Sequence, residues 1–262
     1  LEDKVLSLKN LTMSYSGKNV LNGINLDVYR GQIIGYIGPN GAGKSTTLKI
    51  MLGLIDNYEG TVEILGKDIS KSGYTYKERI GYVPENAEIY DNLTAAEYLT
   101  FIGELYGLDR EVARKKALHL LIEFDMEHVF HSRISSFSKG MRQKVLIVSS
   151  LLHNPDVIFL DEPLSGLDAN SVMIIKDMLE ALANKGKTIF YSSHIMDVVE
   201  KISNRIVLLV DGEIKADGSF EELKAESQKG SLESIFNQLT GFDEHKETAE
   251  HIVSIVTEDT YD

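Results

Sequence analysis

"GPNGAGKS", Gly38–Ser45, decides how this chain is read. The eight residues match G-x-x-x-x-G-K-[ST], a pattern whose glycines let backbone N–H groups turn inward around phosphate oxygens. Before it, "GQIIGYIG" reads as a short buried strand; after it, "STTLKIMLGL" has helical spacing. The loop therefore stands between a strand and a helix, and the helix N-terminus adds positive dipole where the phosphates would lie. In this reading Gly38, Pro39, Asn40, Gly41, Ala42, Gly43 and Thr46 form the cradle. Lys44 reaches the β- and γ-phosphates of a nucleotide, and Ser45 offers a hydroxyl to Mg²⁺.

Outward from the loop the chain alternates between strand and helix patterns. "VLSLKNLTMSY", "LNGINLDVY" and "TVEILGKDI" alternate apolar and polar residues and read as strands separated by turns. From Asn86 to about Phe137 the pattern becomes helical, in "LTAAEYLTFIGELYGL" and "REVARKKALHLLIEF", which predicts a helical subdomain of about residues 86–150 inserted in an α/β core. The α/β alternation then resumes. "DVIFLDEP" and "KTIFYSSH" are buried strands, "NSVMIIKDMLEALANKG" is a helix ending at Gly186, and "RIVLLVDGEIKADG" is a hairpin turning at Asp211-Gly212. Asp161 and Glu162 fall at the C-terminal end of the first of these strands, the edge where open α/β sheets gather ligands. There Asp161 can hold Mg²⁺ through water and Glu162 can act as general base toward an attacking water; in isolation the pair would equally cap the next turn.

Composition narrows the function classes. The 262 residues contain no cysteine, which excludes disulfides, thiolate zinc sites and cysteine nucleophiles. The net charge of −13 shows no basic footprint for nucleic acid. No apolar run has bilayer length, and the first residues, "LEDKVLSLKN", lack the apolar core of a signal peptide, so the expectation is a chain that is soluble by itself and able to dock on a membrane protein. The stretch after Gly241, residues 242–262, holds seven acids and one lysine. It reads as a solvated, partly ordered tail, with a short helix or strand in "HIVSIV" as the other reading.

Further motifs stand in a fixed order around the loop. Tyr15 precedes it. "GYVPE" ends at Glu85, "FSKGM" surrounds Ser138 and Gly140 shortly before Asp161, "SGLD" spans Ser165–Asp168, and His194 follows the next strand. In this order, over about Val5 to Gly241, the chain resembles the nucleotide-binding subunits of ABC-type ATPases. The resemblance implies a P-loop NTPase core with a mostly parallel sheet, an N-terminal antiparallel β subdomain and an inserted α-helical subdomain, forming one ATPase domain over residues 1–241. It implies that Tyr15 stacks on adenine, that Glu85 occupies the glutamine-loop position beside Mg²⁺, and that His194 contacts the γ-phosphate. Ser138 and Gly140 would bind the γ-phosphate held by a second copy, and Asp168 belongs to the loop that touches the opposite subunit. Two ATP molecules would be sandwiched in a homodimer or heterodimer whose motion drives separate integral membrane subunits. The chain itself would be cytoplasmic, peripheral on the membrane through that partner.

Two residues depart from the family pattern. Glu85 replaces a glutamine, so a charged oxygen stands where a neutral carbonyl is usual; it faces Mg²⁺ or turns into solvent or toward a partner. In the signature, Lys139 and Met141 replace glycine and glutamine; Lys139 brings a cation near the phosphate or is simply solvated. Tyr15 and His194, taken singly, are equally compatible with packing and with a loop histidine. Ser138 reads both as a plain N-cap and as an anion site at a helix N-terminus. "FSKGM" together with "SLESIFNQLTG" resembles subunits of drug, antibiotic or lipid-linked exporters. The alternative is a soluble ABC-type ATPase acting in repair, translation or cofactor assembly.

Overall fold

A computed structural model of the chain describes residues 3–86, 89–227, 230–241 and 245–257. It begins with a long antiparallel pair, β1 (Lys4–Tyr15) and β2 (Lys18–Tyr29). β3 (Ile33–Ile37) and α1 (Lys44–Met51) follow, then β4 (Glu59–Ile64) and β5 (Lys67–Asp68). β1, β2, β4 and β5 form an antiparallel sheet in the order β2-β1-β4-β5. "TVEILGKDI", expected as one strand, is instead two short strands folded back on each other. The reason is Leu65–Gly66, with φ of 51° and 75°. Ser16–Gly17 (49° and 81°) and Asp211–Gly212 (49° and 76°) repeat this geometry. Positive φ at both central residues matches the right-handed twist of paired strands, so an X–Gly pair between apolar alternations closes a hairpin.

The second sheet adds β6 (Ile80–Val83), β7 (Val157–Asp161), β8 (Thr188–Ser192), β9 (Arg205–Val210) and β10 (Glu213–Gly218), in the order β10-β9-β3-β8-β7-β6. All neighbours are parallel except the β9–β10 hairpin at one edge. β3, β7 and β8 are buried at every position, and largely apolar, because both faces are covered. Ile33 and Ile37 of β3, Ile158 and Leu160 of β7 and Ile206 and Leu208 of β9 join one core. Ile34 and Tyr36, Val157 and Phe159, and Val207 and Leu209 join the other, under the antiparallel sheet and α1. Fully burying one such side chain contributes about 1.5–3 kcal/mol, so a polar residue at any of these positions would disrupt the central layer.

Between β6 and β7 lie α2 (Ala95–Leu105), α3 (Arg110–Ile122) and α4 (Lys139–Leu151). Their starts are encoded locally. Thr94 and Glu97 form a reciprocal capping box, Asp109 accepts from the amides of Glu111 and Val112, and Ser138 Oγ accepts from Met141 N at 3.2 Å. After β7 come α5 (Ala169–Asn184), α6 (Met196–Ile202), α7 (Phe220–Ser227), α8 (Leu232–Thr240) and α9 (His245–Thr257). α9 makes "HIVSIV" part of a helix, and its Ile252, Val253 and Val256 are exposed. Residues 242–244 and 258–262 of that acidic stretch lie outside the described residues. Among the described residues, no helix is long and apolar enough to cross a membrane.

Candidate nucleotide site

The phosphate loop leaves buried β3 and enters α1 through Gly43, whose φ of 106° is open only to glycine at low cost. A side chain there would meet Val20 O at 2.8 Å and Leu21 Cδ2 at 2.6 Å, so β2 seats the loop directly. The same hairpin carries Tyr15 at the end of β1, a residue 46% exposed. From the other side, Gly212 N in the β9–β10 turn donates to Ala42 O at 3.2 Å. Lys44 folds back over the loop, its ammonium donating to the carbonyls of Gly38 (2.6 Å) and Pro39 (3.1 Å). Thr47, buried one turn into α1, donates to Gly43 O and meets the Tyr36 hydroxyl. Gly38 and Ala42 are buried, Thr46 is half-buried, and Asn40, Gly41 and Ser45 are exposed.

Parallel pairing places the ends of four strands side by side: Tyr36 and Asp161 both pair with Ser192, and Val83 pairs with Leu160. Glu85, Asp161, Glu162 and His194 therefore leave the sheet at one edge with the phosphate loop. Asp161 is 8% exposed and accepts a short hydrogen bond from the Ser192 hydroxyl. Burial pushes its carboxyl above the usual range; Glu85 and Glu162 push the same way, while Ser192 and Lys44 oppose. Burial likewise pushes Lys44 down, against the pull of Glu162, Asp161 and Glu85. Glu85, although exposed, follows the end of β6, which pairs beside the Asp161-bearing end of β7.

Glu162 sits at φ 49°, a left-handed conformation that costs a non-glycine residue about 1–3 kcal/mol. Its amide donates to Ser192 O at 3.0 Å, which holds the turn. Its carboxylate accepts from Ser193 Oγ at 3.2 Å and from His194 Nδ1 at 2.8 Å. An ionised carboxylate only accepts, so the bonded His194 tautomer carries its proton on Nδ1 and leaves Nε2 for a further partner.

Ser138, Gly140 and Asp168 make up a second cluster. Ser138 is an exposed N-cap. Asp168 caps α5, accepting from Ser171 N at 2.9 Å and Ser171 Oγ at 2.5 Å. The Ser171 hydroxyl is the main reason its carboxyl is held well below the usual range. Lys139 is not simply solvated: its ammonium donates to Ser165 Oγ at 2.8 Å, so the extra cation is turned onto the neighbouring loop of its own chain. Sequence reasoning missed that contact, and also missed Ser192 and Ser193, which hold the two acids. The signal for the serines was present in "YSSH", two hydroxyls at the end of a buried strand beside an acid-bearing one.

A family profile described as "ABC transporter" matches residues 21–165. The chain is 34% identical over 249 residues to the ABC-type transporter ATP-binding protein EcsA of Bacillus subtilis, covering 94% of this chain and 99% of the relative. It is 35% identical over 219 residues to the linearmycin resistance ATP-binding protein LnrL of the same bacterium, covering 84% and 70%. A solved ATP-binding subunit of an ABC transporter matches with TM-score 0.84 at 33% identity, over 90% of this chain and 99% of that one. A dimeric ATP-binding cassette in a post-hydrolysis state, bound to ADP and Pi, matches with TM-score 0.73 at 28% identity, over 82% and 98%. The chain belongs to the ABC transporter family. It is an ATP-binding subunit of that family, and its reaction is the hydrolysis of ATP.

Proposed function

We propose that two such subunits close around two ATP molecules and pass the motion to integral membrane subunits that carry the substrate. The observation behind this reading is the position of Glu85. It follows β6 by two residues, beside the end of β7 that carries Asp161, and from residue 89 on Ile89, Tyr90, Asp91, Asn92, Leu93 and Phe101 line an open, mostly apolar groove of about 500 Å³. A group inserted in that groove would sense the state of the γ-phosphate through one short segment. The corresponding sequence "NAEIYDNLTAAEYL" includes Ala87 and Glu88, which lie outside the described residues.

In the site, Tyr15 stacks on the base, residues 38–46 hold the phosphates, and Lys44 turns from the loop carbonyls to the β- and γ-phosphates. Glu162 takes a proton from the attacking water as its oxygen bonds to the γ-phosphorus and the bond to the β–γ bridging oxygen breaks, giving ADP and phosphate. His194, oriented by Glu162, offers Nε2 to the γ-phosphate. Mg²⁺ suits the oxygen donors gathered here: the Ser45 hydroxyl, the nearly buried Asp161 carboxylate anchored by Ser192, and Glu85. When bound it neutralises charge on the phosphate oxygens. Ser138 and Gly140 meet the partner's γ-phosphate, with Asp168 beside them.

Export is the direction of transport in this reading, supported by the exporter-like "FSKGM" and by the antibiotic-resistance name of LnrL. The subunit then works on the cytoplasmic face, held there by its membrane partner. The test is to find whether a neighbouring reading frame encodes a multi-span protein and, where it does, to co-express the two. The chain should sediment with membranes only in the presence of that protein, and ATP added on its side should drive substrate across; membrane association without it would overturn the reading.

A further inference from the structure

The contact between the signature and the Ser165–Asp168 loop is built closely. Gly140 lies so near that loop that a side chain at 140 would meet Gly166 O at 2.6 Å. Gly166, at φ 78°, leaves room in turn for the Lys139 stem: a Cβ there would sit 3.0 Å from Lys139 Cδ and 3.1 Å from Cγ. The stem crosses this bare backbone and its ammonium ends on Ser165 Oγ at 2.8 Å. One turn farther along α4, Lys144 pairs with Asp168 Oδ2 at 3.4 Å, its side chain only 15% exposed. The loop's other end is tied to the acid edge, because Ser165 N donates to Glu162 O at 3.2 Å.

We infer that Lys139 is a positioning residue. It fastens the Ser165–Asp168 loop to the start of α4, so that both elements meet a second copy of this chain as one preassembled surface. A glycine at 139, the residue usual in the resembling family, has no such strap; the loop would keep its ties through Lys144–Asp168 and Ser165 N–Glu162 O but lose the one at its middle, and any ordering left until binding weakens association. The inference rests on the proposed dimer, but the strap exists within one chain and can be tested there.

The experiment uses the full chain carrying Glu162→Gln, with ATP and Mg²⁺. Lys139→Met keeps the stem over Gly166 and removes the donor, Lys139→Arg keeps a donor, and Ser165→Ala removes the acceptor. Two quantities are read: the dimer dissociation constant by light scattering, and hydrogen–deuterium exchange at the amides of residues 165–168 in the nucleotide-free monomer. A charge-assisted hydrogen bond at a partly exposed site predicts roughly a 3- to 10-fold weaker dimer for Lys139→Met. Ser165→Ala should match it, the double variant should be no worse than either, and Lys139→Arg should restore the parent. Exchange at 165–168 should quicken in Lys139→Met and recover in Lys139→Arg. Additive losses, or unchanged exchange and unchanged dimer affinity, overturn the inference. If the parent variant forms no dimer, the dimer reading fails by itself. The monomer exchange then still decides on the strap: quickened and rescued exchange supports it, and unchanged exchange ends it.

Discussion

Replacing Glu162 by glutamine separates the chemistry of the acid edge from its architecture. The amide is nearly isosteric with the carboxylate. Its oxygen can still accept from Ser193 Oγ or His194 Nδ1, now 3.2 and 2.8 Å from the acid. The bond kept by the oxygen loses its charge assistance and the other must reverse or break, so the folding loss is about 1–3 kcal/mol. The backbone at φ 49° keeps its anchor, because Glu162 N still donates to Ser192 O. What the amide cannot do is take a proton from water. Loss of a positioned general base costs roughly 10²- to 10⁴-fold, or about 2.7–5.4 kcal/mol of transition-state stabilisation at about 1.36 kcal/mol per tenfold. Single-turnover phosphate release should fall by that factor, while nucleotide binding, measured by calorimetry, stays within a few-fold. ATP should then persist and a dimer accumulate in light scattering. Adding Ser138→Arg fills the space at the start of α4 and should return the chain to a monomer that still binds ATP. A Glu162→Gln protein that hydrolyses within tenfold of the parent refutes the base assignment. A double variant that dimerises refutes the role of Ser138, and one that loses ATP binding shows Ser138 serving its own chain.

Three further outcomes are expected. Glu85→Gln removes one charge beside the proposed metal site, an interaction worth on the order of 1–4 kcal/mol; the Mg²⁺ concentration for half-maximal activity should shift, and an unchanged titration would mean that Glu85 faces away. Tyr90, 64% exposed in the apolar groove, when changed to Glu should abolish transport in vesicles with the membrane subunits present while basal ATPase of the isolated chain stays level; a parallel fall in both would make the segment part of the hydrolytic site. His153 stacks on Tyr106 with ring centroids 3.6 Å apart and donates from Nε2 to Ile80 O at 2.9 Å. Burial pushes it below its ordinary value of 6.5, opposed by the Ile80 contact. The unfolded chain thus takes up this proton first as pH falls, so the stability held above 6.5 is lost from there down toward the folded value. The melting temperature of His153→Gln should fall less steeply over that window than the parent's, and equal slopes would show that His153 titrates alike in both states.

Much of this protein is written locally. "GPNGAGKS" between a strand and a helix, the largely apolar "VIFLD" and "TIFYS", the caps Thr94, Asp109 and Ser138 and the Asp211–Gly212 turn each depend on neighbours within a few residues, where period and propensity act. Leu65–Gly66 was misread because an apolar residue at positive φ carries no turn signal of its own. The gathering of Glu85, Asp161, Glu162 and His194 beside Lys44 is a different matter. It follows from the strand order β10-β9-β3-β8-β7-β6, in which strands more than a hundred residues apart lie side by side. Their contacts depend on register, which no local period encodes. For the same reason only the folded chain places Ser192 against Asp161, Gly212 against Ala42 and Lys139 on Ser165: each is a polar group whose partner is chosen by how distant backbones pack.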